Sequence, residues 1–514
     1  MDPYRPVNPV RFVTATNLFD GHDASINIFR RILQSSGAEV IHLGHNRSVA
    51  EVAAASVEED AQAVAVTSYQ GGHMEYFRYL RQLLDEMGRP DIRIFGGGGG
   101  TILPSEGDEL LAEGVARIFS PDDGRQLGLQ GMIDEMLRAA DVPSGELGEV
   151  DPDQVTVGRT VEIAALLSAA ENHPDKYPEI FERIRAKAEG SSSRVLGITG
   201  TGGSGKSSLT DELVRRFLLD FESETVAVLS VDPTRRRSGG ALLGDRIRMN
   251  SLPHPRGFMR SMATRQANRS LSDAVADGIA IFEAAGFDLV IVETSGIGQS
   301  DTEIIEHADV SVYAMTPEYG AATQLEKIDM IDFADLIVVN KADKPGAEDA
   351  VRDVKKQYRR NRKLFDADDA SLPVYATVAS EFGDPGTNRF YRAVMTAVGF
   401  DPDLELPTDP RDRHVVVPSS RSRYLAEIAE SARREDEAIA DQARVAGELQ
   451  ALQTAADLTG ADLSQYIAER EGWLDPETQV VLGGWEQMLD QYSGDELTYE
   501  VRGKEIRVPL TTES

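Results

Sequence analysis

The stretch GTGGSGKS, from Gly200 to Ser207, constrains the fold most strongly because it fits the pattern G-x-x-x-x-G-K-[ST]. It follows the apolar run VLGITG at 195–200 and opens a helical pattern, which is the context that a phosphate-binding loop requires. Glycines let backbone N–H groups surround a phosphate, and the helix N-terminus adds positive potential. The pattern predicts nucleotide contacts from Gly203, Ser204, Gly205, Lys206, Ser207 and Ser208.

Two side chains of this loop are expected to act on the phosphates and their metal ion. Lys206 would neutralise the β and γ oxygens, which makes it the predicted catalytic residue, and the Ser207 hydroxyl would reach Mg²⁺. The apolar run DLVIVET at 288–294 contains Glu293 near its end, followed by a glycine-bearing loop. The position of Glu293 predicts an acidic residue near the metal, and the glycine-bearing loop after it predicts a switch loop near the γ-phosphate.

The tetrapeptide NKAD at 340–343 predicts the identity of the base. It ends the strand pattern LIVVN, and Asp343 could accept hydrogen bonds from both the N1–H and the amino group of guanine. Adenine has an acceptor at N1, so the carboxylate would be left unpaired against it. The sequence therefore predicts GTP rather than ATP, bound with the help of Asn340, Lys341, Ala342 and Asp343.

Strand and helix patterns alternate in two blocks of the chain. The first block runs from Val10 to about Ala140, with strand candidates at 11–16, 38–44, 63–68, 92–97 and 115–119; the second runs from 195 to about 398. Regular alternation predicts parallel sheets covered by helices on both faces. We expect an α/β fold with two doubly wound parallel-sheet domains, one Rossmann/flavodoxin-like and one P-loop GTPase, plus a helical linker.

Composition shifts predict the domain boundaries. The expected first domain is 1–140, followed at 141–190 by a linker that is polar to 158 and then helical, and by a GTPase domain at 191–400. Residues 401–514 are expected to form a helical linker, with a long charged helix from Arg421 to Thr454.

Charge and composition exclude several classes of partner. The net charge of -33 argues against nucleic acid, and against an anionic membrane surface, since both attract basic proteins. The chain has no cysteine, so it has neither disulfides nor thiolate ligands. No apolar run approaches the roughly 20 residues needed to span a bilayer, and the first residues lack the apolar core of a signal peptide. A cytoplasmic location is expected.

The heptapeptide FDGHDAS at 19–25 suggests a second site at the first sheet. Loops at the carboxyl ends of parallel strands converge on one rim, and FDGHDAS, SYQGGH (68–73) and the glycines of 96–100 all occupy such loops. Neutral imidazole is a good ligand for cobalt, and Asp20 could hold the other ring N–H of His22. The alternative is a polar turn followed by a helix cap.

These motifs resemble the D-x-H-x-x-G, S-x-L and GG signatures of the cobalamin-binding domains of B12-dependent mutases. Ser25 replaces the glycine of the first signature and Gln70 the leucine of the second. The resemblance implies adenosylcobalamin bound with its own base displaced from cobalt. His22 would be the axial ligand, supported by Asp20, and the displaced tail would contact Ser68 and pass Gly97 and Gly98. His73 is expected at the same rim.

The segments VDPTRRRSGGALLGDRIRM (231–249) and ETSGIGQSD (293–301) resemble the MeaB/ArgK-type G-protein chaperones of cobalamin-dependent acyl-CoA mutases. The resemblance implies that Mg²⁺ is bound by Ser207, Asp232, Asp245, Glu293 and Thr294. Arg248 is expected to reach the nucleotide, and Gln299 is a candidate for positioning the attacking water. The arginines at 235–237 are expected to be solvated.

The order of the two domains resembles the fused isobutyryl-CoA mutases, in which a substrate-binding barrel follows a helical linker. A barrel of roughly 250 residues does not fit after the linker, so the chain is expected to be a fragment or the small half of a split enzyme. The resemblance implies a cobalamin-binding, GTP-hydrolysing chaperone portion that isomerises isobutyryl-CoA to butyryl-CoA only with a barrel in cis or in trans, and a homodimer.

Two alternatives remain open from the sequence. One is a stand-alone G-protein chaperone or cofactor carrier for a separate mutase subunit. The other is a regulatory GTPase whose first domain no longer binds cobalamin, an interpretation that rests on Ser25 and Gln70.

Overall fold

The computed structural model describes residues 3–233, 240–243, 245–264, 271–294, 307–319, 330–406, 424–501 and 504–510. Contacts divide the chain into two units, Met1–Val415 and Val416–Ser514. The first unit contains both predicted α/β blocks. The second contains helices and a strand pair.

The first sheet is built from five short runs of mostly buried residues, which suit a parallel sheet covered on both faces. In chain order these strands are β1 (Arg11–Asn17), β2 (Glu39–Arg47), β3 (Ala63–Thr67), β4 (Arg93–Gly97) and β5 (Arg117–Phe119). They pair in the order β5-β4-β3-β1-β2, all parallel. All five match strands predicted from the sequence.

A helix follows each of these strands: α1 (Ala24–Ser35), α2 (Val49–Glu58), α3 (His73–Glu86), α4 (Pro104–Ala112) and α5 (Pro121–Ala140). In α3 the side chains of Tyr76, Phe77, Leu80 and Leu84 are buried, which is the spacing of one helical face. A capping box between Ser48 and Glu51 fixes the start of α2.

The predicted linker helix is interrupted. It forms α6 (Thr160–Asn172) and α7 (Pro178–Ala188), and α7 begins at a proline that occupies the first helical position. Proline is favoured there because its missing N–H would have no partner in the first turn. Both helices contribute to the core that lies beneath the second sheet.

The second sheet contains β6 (Arg194–Gly200), β7 (Val226–Pro233), β9 (Gly257–Thr264), β10 (Leu289–Thr294), β11 (Val310–Met315), β12 (Leu336–Asn340) and β13 (Val374–Thr377). Their order is β13-β12-β11-β6-β10-β7-β9, and all the pairings are parallel. Within the described ranges, this domain contains the helices α8 (Lys206–Asp220), α9 (Leu271–Ala285), α10 (Met330–Phe333), α11 (Ala347–Asn361) and α12 (Pro385–Val398).

One strand comes from the second alternating block of the sequence but is part of the first sheet. The strand β8 (Ala241–Leu243) pairs in parallel with β2, and so extends the first sheet to six strands. Neither β8 nor β9 was predicted. The fold class itself, two doubly wound parallel sheets with a helical segment, is confirmed.

The described residues of the second unit form α13 (Tyr424–Thr459), three short helices and an antiparallel strand pair. The helices are α14 (Ser464–Glu471), α15 (Pro476–Gly483) and α16 (Trp485–Tyr492), and the strand pair joins β14 (Glu496–Val501) to β15 (Lys504–Pro509). The helix α13 covers most of the predicted charged helix. None of the helices in the described part of the chain is both long and apolar enough to cross a bilayer.

Candidate functional site

The phosphate-binding loop has a backbone that only glycine permits. It runs from the end of β6 to the start of α8, and Gly203 and Gly205 have φ angles of 76° and 87°. These angles lie in the left-handed region, which side chains with a Cβ rarely adopt. At Gly200 a Cβ atom would lie 1.9 Å from the carbonyl oxygen of Ala314 in β11. The loop conformation thus follows from its glycines.

Polar groups inside the loop match the chemistry of a phosphate. The Lys206 Nζ atom donates to the carbonyl oxygens of Gly200 and Thr201, at 3.0 and 3.2 Å. The hydroxyl oxygens of Thr201 and Ser204 are buried without a hydrogen-bond partner. Buried hydroxyls without partners are costly, and phosphate oxygens would supply the acceptors. These residues fit a nucleotide phosphate.

The acidic residue Glu293 lies directly beside this loop. Its side chain is 2% exposed, and its carboxylate accepts hydrogen bonds from the hydroxyls of Ser207 at 2.8 Å and Thr210 at 3.0 Å. The pairing of β10 with β7 sets Thr294 opposite Val231, so Asp232 follows at the same end of the neighbouring strand. The structure therefore brings Ser207, Glu293 and the end of β7 together.

The structure describes two other predicted metal ligands, Thr294 and Asp245, to different extents. The Thr294 hydroxyl donates to the Thr199 hydroxyl at 3.1 Å. Asp245 begins a 3₁₀ turn that ends at Arg248, but its side chain lies outside the described residues. Among the side chains that are described, no three or more from His, Cys, Asp and Glu form a group that could hold a metal. Mg²⁺ takes one or two carboxylates plus phosphate oxygens and water, which the residues here fit.

The NKAD segment packs against the phosphate-binding loop. The Asn340 amide donates to the Ser204 carbonyl oxygen at 2.7 Å and accepts from Thr377 and from the backbone of Ala379. The Lys341 ammonium donates to the Gly203 carbonyl oxygen at 2.7 Å. These contacts fix the distance between the base-binding and phosphate-binding segments, a role of Asn340 and Lys341 that was not predicted.

The last residues of this motif border the space for the base. The Ala342 N–H donates to the Thr377 carbonyl oxygen at 3.0 Å, and the next residue, Asp343, is exposed. Ser208 lies in the first turn of α8, and Arg248 is exposed at the end of its 3₁₀ turn. The arginines at 235–237 and Gln299 lie outside the described residues.

At the rim of the first sheet, Asp20 holds the ring of His22. Asp20 is 1% exposed, and one carboxylate oxygen lies 2.7 Å from Nδ1 of His22 and accepts its backbone N–H at 2.9 Å. The other oxygen accepts the N–H of Tyr69 at 2.6 Å. Burial opposes ionisation of Asp20, but the hydrogen bonds from Tyr69 and His22 outweigh it and lower its pKa.

This geometry leaves one nitrogen of His22 for a ligand. A carboxylate that accepts the Nδ1–H fixes the tautomer, so Nε2 carries the lone pair. The His22 side chain is 73% exposed although its carboxylate partner is buried. A histidine whose Nδ1 is held by a buried carboxylate and whose Nε2 side is exposed fits an axial ligand of a large planar cofactor.

A cavity of about 240 Å³ opens beside this pair, between α1, α5 and the ends of β3 and β4. Its wall is largely apolar and includes Phe29, Phe95, Phe119, Leu129, Met132 and Met136. Tyr69 and the glycines from Gly96 to Gly99 also line it. The glycines were predicted, whereas the aromatic and methionine side chains were missed, because apolar residues on strands and on one face of a helix are equally typical of an ordinary core.

The glycine run and the serines have specific positions around the cavity. A Cβ atom at Gly98 would lie 1.8 Å from the Ser68 carbonyl oxygen, whereas at Gly97 it would lie 3.4 Å from its nearest neighbour. Ser68 is fully buried, and its hydroxyl accepts from the Asn17 amide at 2.8 Å. Ser25, which replaces a glycine of the signature, forms a hydrogen bond with the Tyr69 hydroxyl.

His73, which was also predicted at the rim, has a side-chain partner within the first domain. Its Nε2 atom lies 3.0 Å from a carboxylate oxygen of Glu106, and its side chain is largely buried. His22 is therefore more accessible than His73.

Comparison with known families identifies two domains. Residues 10–121 match the B12 binding domain, and residues 162–396 match the Methylmalonyl Co-A mutase-associated GTPase MeaB. The first range includes His22 and the second includes the phosphate-binding loop and the NKAD segment.

The fused mutases with similar sequences are about twice as long as this chain. The chain is 51% identical to the fused isobutyryl-CoA mutase of Cupriavidus metallidurans, over 98% of this chain and 48% of that protein. It is 50% identical to the one of Geobacillus kaustophilus, over 99% of this chain and 49% of that protein. A putative GTPase of Pyrococcus horikoshii is 41% identical over 36% of this chain and 58% of its own length. The resemblance inferred from the motifs is confirmed.

Proposed function

We propose that this chain, which is similar over almost its whole length to about half of the fused isobutyryl-CoA mutases, holds adenosylcobalamin through His22 and hydrolyses GTP at the loop of Lys206. The cofactor would bind in the range that matches the B12 binding domain, and the nucleotide in the range that matches the MeaB-type GTPase. The GTPase domain then acts as a chaperone that controls loading of the cofactor. Because GTP is an intracellular nucleotide, we also propose a cytoplasmic location.

The observation that carries the cobalamin proposal is the Asp20–His22 pair. Asp20 accepts the Nδ1–H, which fixes the tautomer and keeps the Nε2 lone pair available to cobalt. The bound cofactor would supply a cobalt–carbon bond whose homolysis starts radical chemistry. Its displaced tail would enter the apolar cavity, whose wall includes Gly97 and Gly98. Ser68, the predicted tail contact, is fully buried behind Gly98 and would reach the tail only after a local movement.

The GTPase proposal rests on the fit of the loop to phosphates. Lys206 would move its ammonium group from the loop carbonyls to the β and γ oxygens, and the buried hydroxyls of Thr201 and Ser204 would donate to phosphate. Phosphoryl transfer needs mainly positioning and charge stabilisation. We assign Mg²⁺ to Ser207, Asp232, Asp245, Glu293 and Thr294, and the nucleotide to Gly203–Ser208, Arg248 and Asn340–Asp343.

The first test is a visible-light titration of the purified chain with adenosylcobalamin. We expect the spectral change of a cofactor whose benzimidazole has been displaced from cobalt, and its loss in His22→Ala. The control is His254→Ala, since His254 precedes β9 in the GTPase domain and its ring accepts the backbone N–H of Arg256. Binding without the spectral change, or an unaltered change in His22→Ala, would contradict the assignment of His22.

Mutase activity is proposed for this chain only together with a substrate-binding barrel, in cis or in trans. The second unit supports a docking partner because it exposes large apolar side chains, among them Leu425, Leu458, Trp473, Val480, Trp485 and Leu489. Exposed apolar groups at this density are typical of a surface that another body covers.

A further inference from the structure

The apolar cavity beside His22 contains a small number of hydroxyl groups in its wall. They belong to Ser25, Thr67, Tyr69 and Ser120. The Thr67 hydroxyl forms a hydrogen bond with the Thr16 hydroxyl at 3.2 Å, and the Ser120 hydroxyl exchanges hydrogen bonds with Asp123 at the start of α5. Thr67 and Ser120 are therefore committed to the fold, which leaves the hydroxyls of Ser25 and Tyr69 to interact with a ligand.

The hydroxyls of Ser25 and Tyr69 form a hydrogen bond with each other. Their oxygen atoms lie 2.5 Å apart, and both residues are partly buried at the cavity. Each hydroxyl has one proton to donate, and the hydrogen bond between the two uses one of them. The pair therefore keeps one O–H that can donate to a ligand in the cavity, whichever of the two oxygens carries it.

Tyr69 contacts both the predicted cobalt ligand and the wall of the cavity. Its backbone N–H donates to Asp20 at 2.6 Å, and its ring centroid lies 5.8 Å from that of His22. On the cavity side, a Cβ atom at Gly99 would lie 3.2 Å from the Cε1 atom of Tyr69. Tyr69 therefore joins the loop of His22 to the glycine run that lines the cavity.

The two departures from the cobalamin signatures both support Tyr69. Ser25, which replaces the glycine, binds the Tyr69 hydroxyl. Gln70, which replaces the leucine, donates its side-chain amide to the Leu18 carbonyl oxygen at 2.8 Å, and so connects the loop of Tyr69 to the residue after β1. From the sequence these departures favour a domain that no longer binds cobalamin, but a binding role for Tyr69 explains both of them.

The hydroxyl of Ser68, the predicted tail contact, is engaged by other groups. It accepts from the Asn17 amide at 2.8 Å and donates to the Gln70 carbonyl oxygen at 3.4 Å. Ser68 is also not among the described residues that line the cavity. A tail in the cavity would therefore meet the hydroxyls of Ser25 and Tyr69 rather than that of Ser68.

We propose that the hydroxyl pair of Ser25 and Tyr69 binds the nucleotide tail of the cofactor and selects the base at its end. This inference rests on the proposed function, because the tail is free only when His22 has displaced it from cobalt. The displaced base has a ring nitrogen whose lone pair no longer binds the metal, and an acceptor without a donor is costly in an apolar cavity. The remaining O–H of the pair supplies the donor. The site therefore prefers a tail that ends in an aromatic base with an unprotonated ring nitrogen.

The first test removes both hydroxyl oxygens and keeps the shape of the side chains. The double variant combines Ser25→Ala with Tyr69→Phe, and the measurement is the dissociation constant of adenosylcobalamin on the full chain. We expect affinity to fall by roughly 5- to 150-fold, since a buried acceptor is left unsatisfied. The matched control combines Ser35→Ala with Tyr79→Phe, which removes the same atoms from exposed positions of α1 and α3 and should bind as the wild type does. Wild-type affinity in the double variant would overturn the inference.

A second ligand tests the choice of base. It is the adenosylated cobamide whose tail ends in p-cresol, an aromatic ring without a nitrogen atom. We expect the double variant to bind this cobamide as tightly as the wild type does, because the wild-type hydroxyls have no ring nitrogen to bind in it. Equal losses of affinity for this cobamide and for adenosylcobalamin would contradict a contact with the base, and would mean that Tyr69 acts only by supporting His22.

The spectrum of the wild-type protein separates failure of this inference from failure of the proposed function. If the wild type binds adenosylcobalamin with its benzimidazole displaced, and the double variant binds it equally tightly, the tail contact is disproved and the cobalamin site stands. If the wild type binds no adenosylcobalamin, or binds it with the benzimidazole still on cobalt, the proposed function fails, and the tail contact fails with it.

Discussion

At the scale of single residues, selectivity for the base rests on the carboxylate of Asp343. We expect Asp343→Asn to lose affinity for GTP by about 10- to 100-fold, because the amide cannot accept from both guanine donors. The same variant should gain affinity for xanthosine triphosphate, which offers an acceptor where guanine has its amino group. Hydrolysis rates measured against the concentration of each nucleotide test this, and unchanged GTP kinetics would contradict the role of Asp343.

Two adjacent glycines allow a second test at this scale. Gly98→Ala sets a Cβ atom 1.8 Å from the Ser68 carbonyl oxygen, so the loop must move, whereas Gly97→Ala meets only a 3.4 Å contact. Overpacking of this kind costs about 1–3 kcal/mol. We expect Gly98→Ala to weaken adenosylcobalamin binding and to lower the free energy of unfolding, and Gly97→Ala to do neither as strongly. If the two variants had equal effects on binding and stability, the contact between Gly98 and the Ser68 carbonyl oxygen would not explain why a glycine is needed there.

At the scale of elements, the strand β2 contains a buried histidine that makes stability depend on pH. Burial, together with the neighbouring Arg30, lowers the pKa of His42 to about 4, and its Nδ1 atom lies 2.9 Å from the Thr14 hydroxyl. In the unfolded chain a histidine titrates near about 6.5. Between these values the unfolded state binds a proton that the folded state does not, so stability falls as the pH is lowered through this window.

The drop in the free energy of unfolding should amount to about 3 kcal/mol between pH 7 and pH 4. His42→Gln does not titrate, and we expect it to remove this part of the pH profile measured by urea unfolding. His45→Gln, at an exposed position of the same strand, should leave it in place. Parallel profiles for wild type and His42→Gln would contradict the assignment.

Local patterns were sufficient to predict most of these elements. The five strands of the first sheet and the phosphate-binding loop follow from apolar runs and glycines that lie close together in the sequence. The strand β8 could not be found in this way, because ALL after GG is typical of a loop and becomes a strand only by pairing with a residue run 200 positions away.

The residues of the two candidate sites also divide into those that local patterns predict and those that depend on long-range packing. His22, Lys206 and Glu293 were predicted because each occupies a loop or a strand end with a characteristic motif. Arg246, Tyr69 and Asn17 were missed because their partners lie far away in the sequence. Their roles depend on how the elements pack, which no local pattern encodes.

At the scale of the whole molecule, the chain should bind cofactor and nucleotide without isomerising an acyl-CoA. We expect no butyryl-CoA from isobutyryl-CoA and adenosylcobalamin with this chain alone, and product when a substrate-binding barrel of a related mutase is supplied. Chromatography of the acyl-CoA pool measures this directly. Product formed by the chain alone would contradict the division of labour proposed above.

The shared sheet also limits how such a protein can be dissected. A cut after residue 140, where the first alternating block ends, removes β8 and leaves the outer edge of β2 open. Glu58 and Glu59 then lose Arg246, whose guanidinium binds both carboxylates. Unpaired edges are templates for another chain. An excised B12-binding fragment is therefore expected to self-associate. Any recombination of such domains, in evolution or in the laboratory, must transfer β8 together with the first sheet.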